Sequence, residues 1–135
     1  MKNKAKIMPL FVILLFLPLK QAMADSAILR QVSKTTETGK MQIFLRFSSL
    51  PTYKLETQGK RIDLVLSNTV PAQSFRMLSG DEKMIRMISG KQGEDLLLSF
   101  YFRYPPQHVR VKKIEETASI MLDIQLGNPL SARYP

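Results

Sequence analysis

From Met41 to Phe47 every second residue is large and apolar, and the pattern returns from Leu96 to Phe102. The first run places Met41, Ile43, Leu45 and Phe47 in step, and the second places Leu96, Leu98, Phe100 and Phe102 in step. Alternation at period two puts one apolar face on an extended strand, whereas a helix would scatter these residues around its axis. The recurrence makes the chain an internal repeat. Ile28-Leu29-Arg30-Gln31-Val32-Ser33 aligns without a gap with Met84-Ile85-Arg86-Met87-Ile88-Ser89, 56 residues further on, and this puts Arg30 and Arg86 in phase. A polar turn containing glycine follows each segment, Thr35 to Gly39 in the first copy and Gly90 to Gly93 in the second.

The two alternating strands come next, each closed by a proline, Pro51 and Pro106, which cannot donate to a ladder. Third strands follow at Tyr53 to Glu56 and Val109 to Lys112. Fourth strands carry Ile62, Leu64 and Leu66 in one copy, and Ile120, Leu122 and Ile124 in the other. The halves thus cover about 27–68 and 83–126, within a domain spanning 25–127. A linker from Asn68 to Glu82 joins them, with one extra short strand expected around Ser74 to Met77. Short alternating strands with frequent turns and no helical periodicity predict an all-β fold. The expected architecture is a sandwich of two symmetrical, roughly four-stranded sheets, each hiding its apolar face against the other. With no cysteine in the chain, burial alone must hold it together.

The first 24 residues have a different character. Lys2, Lys4 and Lys6 precede an apolar run from Ile7 to Leu19, and Ala22-Met23-Ala24 follows with small residues at the right spacing. This is the build of a secretory signal cleaved after Ala24, and its apolar run falls short of the roughly 20 residues that span a bilayer. The mature chain is expected to begin at Asp25, to lack a transmembrane segment and to reside in the periplasm or cell envelope. Four of the 20 Lys and Arg lie in the signal and all 11 acids lie beyond it, so the remainder carries +5 rather than +9. That balance favours anionic partners. Nucleic acid fits poorly with an exported chain whose charges are scattered. The tail, 128–135, carries no periodic pattern.

Few residues suggest chemistry. His108 is the single histidine, set after Pro105-Pro106-Gln107 and read as a loop residue, so neither a histidine metal cluster nor a triad is indicated. Asp81-Glu82 and Glu115-Glu116 are acid pairs in turns without a partner ligand nearby. No enzyme, cofactor or metal is expected. Binding is the better reading. If Met41, Ile43, Leu45 and Phe47 point inward, Phe44 and Arg46 point outward, and so do Tyr101 and Arg103 in the second copy. A ring beside a guanidinium suits glycans, since the ring stacks on sugar C–H groups and the fork grips carboxylates. An ordinary solvated face is the competing reading. Arg30, Arg61 and Arg86 form a second candidate set, either as anion contacts or as stems covering the sheet edge with heads paired to Asp63 or Asp123. Lys54, Arg110, Lys112 and Lys113 add charge to the third strands, which also fits protection of edge strands.

The strand pattern resembles the AMIN domain, the non-catalytic module at the front of bacterial cell-wall amidases and type IV pilus secretins. Ile28 to Ser33 is similar to the first strand of that family, and Arg61-Ile62-Asp63-Leu64-Val65-Leu66 with Ser67-Asn68-Thr69 to its central strand. The second half is similar through Met84 to Ile88, Leu96 to Phe102 and Ile120 to Ile124. Lys40 or Met41 stands where the family usually has arginine. Val65 replaces the central aspartate, which reappears as Asp123 in the second copy. The resemblance implies a sandwich of symmetrical sheets, a place in the cell envelope and targeting to the wall by binding peptidoglycan or another anionic envelope glycan. The alternative is a docking module for other envelope proteins, such as those of a pilus or secretion complex.

Overall fold

The computed structural model describes residues 26–127. The signal-like segment and the tail lie outside the described residues. Among the described residues nine strands follow in order: β1 Ala27–Glu37, β2 Lys40–Phe47, β3 Tyr53–Gln58, β4 Arg61–Leu66, β5 Thr69–Pro71, β6 Met84–Gln92, β7 Asp95–Phe102, β8 Pro106–Ile114 and β9 Ser119–Leu126. They form a five-stranded sheet, β5-β1-β2-β9-β8, and a four-stranded sheet, β3-β4-β7-β6. All pairings are antiparallel except β1 with β5. The fold is a β sandwich.

The repeat is visible in the topology. The order β1-β2-β9-β8 becomes β6-β7-β4-β3 when each strand is exchanged for its counterpart in the other half. Each sheet therefore takes two strands from each half, and the halves are interleaved. The inward positions of β2, β4, β7 and β9 supply most of the core. Met41, Ile43, Leu45, Ile62, Leu64, Leu66, Leu98, Phe100, Ile120, Leu122 and Ile124 are fully buried.

A β-bulge in each half corrects the sequence alignment. The register of β1 against β2 breaks between Leu29 and Gln31, which face Phe47 and Arg46. The register of β6 against β7 breaks between Met84 and Arg86, which face Phe102 and Tyr101. The extra residues are Arg30 and Ile85. Buried Leu29 thus matches buried Met84 at 55 positions, not 56. The counterpart of Arg86 is Gln31, and Arg30 and Arg86 are out of phase.

Other expectations also shift. The short extra strand is Thr69–Pro71, and Ser74 to Met77 forms no strand. Asn68, at φ 45°, sits where the chain crosses from β4 to the other sheet, and there Thr69 to Pro71 lies parallel to Ala27 to Leu29. The strands β2 and β7 end before their prolines, and Pro106 opens β8 instead of closing β7. Proline is tolerated there because β8 is an edge strand. His108 is consequently an exposed strand residue, not a loop residue.

The linker runs from one sheet to the other and packs Phe75 and Leu78 against the core. Asp81 anchors its far end. Its carboxylate accepts hydrogen bonds from the backbone N–H groups of Lys83 and Met84, each at 2.8 Å, and pairs with Lys34 of β1. Burial pushes the Asp81 pKa up, but the Lys34 ammonium and the two N–H groups outweigh that and hold it below its ordinary 3.8. A lowered folded pKa contributes stability above the unfolded value, and this is lost as pH falls through the folded value. Asp81→Asn should therefore melt below wild type at pH 7, by roughly 1 kcal/mol after allowance for solvent screening. The two melting curves should converge as pH falls below 3.8. A gap unchanged down to pH 3 would show that the charge is not what anchors the linker.

Candidate surface for an anionic ligand

The outward residues of the five-stranded sheet fall into rows set by strand register. One row runs Ser33, Phe44, Met121, Lys112 across β1, β2, β9 and β8. The row on one side carries Arg46 beside Ser119, and that on the other carries Gln42, Asp123 and Arg110. Phe44 and Met121, both half-buried, lie directly opposite each other in the middle strands. They form an apolar centre with cations around it. Lys40 is held by Asp123 at 3.8 Å, and Arg110 Nε donates to His108 Nε2 at 3.3 Å. Among the described residues the ion pairs are Lys34–Asp81, Lys40–Asp123 and Arg61–Asp63. Arg46 and Lys112 take part in none of them. Both are exposed, Arg46 two residues along β2 from Phe44 and Lys112 opposite Met121.

The outer face of the other sheet behaves differently. There the row matching Arg46 and Ser119 is Arg86, Tyr101, Arg61, Gln58, and the row matching Phe44 and Met121 is Ile88, Ser99, Asp63, Glu56, across β6, β7, β4 and β3. The Arg86 guanidinium lies over the Tyr101 ring, 5.0 Å from its centroid, so that ring face is already occupied. Arg61 donates through Nε to Asp63 at 3.1 Å and through Nη2 to Gln58 at 2.5 Å. Ser99 Oγ donates to the other Asp63 oxygen at 2.7 Å. These six groups are spent on one another, and a satisfied polar network of this kind stiffens a sheet without a ligand.

The seven sequence candidates are thus divided. Phe44 and Arg46 share one outer face, while Tyr101, Arg61 and Arg86 share the opposite one. Arg103 lies just beyond β7, its N–H bonded to the Lys83 carbonyl and its Nε to that of Glu82, at 2.9 Å each. Arg30 stands at the β1 bulge. Neither protein families, curated proteins nor solved structures give a match to this chain.

Met121, Lys112 and Arg110 join the surface although sequence reasoning did not place them there. The alternation of β9 does mark Met121 as outward, but only the pairing of β9 with β2 sets it against Phe44. Among the described residues no group of His, Cys, Asp and Glu is arranged to hold a metal ion, and no helix is long and apolar enough to cross a membrane.

Proposed function

We propose that this is an exported, non-catalytic module that binds bacterial peptidoglycan through the outer face of its five-stranded sheet. The observation that carries the reading is the Phe44–Met121 centre beside the unpaired cations Arg46 and Lys112. Sugar rings present apolar C–H faces that stack on an aromatic ring, and stem peptides present carboxylates that a guanidinium grips in bidentate fashion. A rigid sheet holds both kinds of group at fixed spacing, which lowers the ordering cost of binding. The resemblance to AMIN domains supports the same reading, as does the signal-like N-terminus, which would deliver the module to the periplasm.

Sedimentation with purified, protein-free sacculi tests it. Wild type should co-sediment, and Phe44→Ala with Arg46→Ala should bind about tenfold or more weakly, as expected for loss of one stacking platform and one charge-assisted clamp. Added salt should weaken wild-type binding. Arg86→Ala, on the opposite face, should bind as wild type does. Failure to sediment with bare sacculi, together with retention by envelope protein extract, would favour docking to another envelope protein. The free edges of β3 and β8 would then be the first place to look.

A further inference from the structure

Beside the proposed wall-binding face, at the end of the sheet where β2 leaves, a concave site gathers four charges. Arg30 projects from the β1 bulge and Arg46 from β2, while Glu115 and Glu116 come from the 3-10 turn that joins β8 to β9. All four side chains belong to exposed residues, and none takes part in an ion pair among the described residues. Two cations and two anions thus line one hollow without neutralising one another. The frame beneath them is fixed. The Phe47 N–H donates to the Ala118 carbonyl at 2.9 Å, tying the turn to β2, and the Ile28 N–H donates to Ser48 Oγ at 2.9 Å, tying β1 to the same end.

The internal symmetry shows that the fold does not require this quartet. The same backbone features in the other sheet carry Ile85 at the bulge, Tyr101 in place of Arg46, and the turn Gln58-Gly59 between β3 and β4. That sheet forms with none of the four charges at the matching positions. A bulge commonly re-aims a side chain toward a site, and here it re-aims Arg30 into the hollow.

We propose that the hollow binds the α-amino-acid end of a ligand, an ammonium and a carboxylate carried on one carbon. The two guanidinium groups take the carboxylate and the two glutamates take the ammonium. Resting on the wall-binding reading, the natural source is the free amino-carboxylate end of a diamino acid in a stem peptide. Arg46 belongs to both surfaces and connects the hollow to the Phe44 patch.

The test uses free small molecules on the purified protein, followed by NMR titration. Diaminopimelate and pimelate have the same carbon chain and the same two carboxylates, and differ only in the two amino groups. Diaminopimelate should bind at least about tenfold more tightly than pimelate, as charge-assisted bonds from the one ammonium in the hollow to the glutamates predict. Glu115→Gln with Glu116→Gln should abolish that difference while leaving pimelate as tight or tighter. Equal binding of the two probes to wild type, or no binding of diaminopimelate, would overturn the proposal. So would a preference that survives the double substitution. Sacculus binding is scored separately. Sedimentation that depends on Phe44 without a preference for diaminopimelate removes the hollow and keeps the wall-binding face. A diaminopimelate preference without sedimentation does the reverse.

Discussion

Leu45→Asp should leave the protein without a cooperative thermal transition. Leu45 is fully buried in the middle of β2, paired with Val32 on one side and Ile120 on the other. A carboxylate there finds only apolar neighbours, and an unpaired buried charge costs several kcal/mol, comparable with the whole stability of a small domain. Leu122→Asp should do the same, because Leu122 is fully buried opposite Ile43. The control is one position away. Arg46 points outward, and Arg46→Ala should shift stability by no more than about 0.5 kcal/mol. Circular dichroism melts on the three variants decide the matter. A normal melt for Leu45→Asp would mean that the faces of β2 are reversed.

Phe100→Ala should produce the next largest loss, about 3–5 kcal/mol, read as a lowered urea midpoint with an unchanged slope. Phe100 is fully buried in β7 and faces Ile62 of β4 and Met87 of β6. Strands from both halves surround it, so the sheet cannot close on the missing ring without moving a strand of each. Tyr101→Ala, at the next residue, removes a half-exposed ring that packs under Arg86 and should cost clearly less. If the two variants were equally destabilised, the outer-face contact would matter to the fold as much as the core does.

Much of this fold could be read from the chain, and the misses have physical causes. The strands β2, β4, β7 and β9 alternate, and their inward residues are buried as the alternation demands, with Ser99 and Ser119 buried on the other side as well. The bulges were not legible, because one extra residue changes a strand's register without changing its composition. The alignment at 56 matched Arg30 with Arg86 because it pairs the more similar side chains, where the backbone, with a bulge at the same place in each hairpin, matches Arg30 with Ile85. The strand Thr69–Pro71 was not legible either, being three residues long and ending in proline.

At the candidate surface, the outward direction of Phe44, Arg46 and Tyr101 followed from period two. That Tyr101 lies on the far side of the sandwich from Phe44 did not follow. Which sheet a hairpin joins depends on how the loops cross between layers, and crossing leaves no local pattern. The same holds for Met121 and Lys112, whose approach to Phe44 requires a strand from the second half to sit beside one from the first.

That arrangement also sets when the molecule can become itself. A chain released N-terminus first can form the β1–β2 and β3–β4 hairpins at once, but isolated hairpins are marginal in water. The four-stranded sheet must wait for β7, which joins β4 to β6. The five-stranded sheet must wait for β9, where Met41 meets Ile124, 83 positions along the chain. Until then Met41, Ile43 and Leu45 have no neighbouring strand on one side of β2. Closure by such distant contacts is slow and leaves apolar edges open to other chains. The interval before β9 emerges is when this protein most needs to be kept apart from its neighbours.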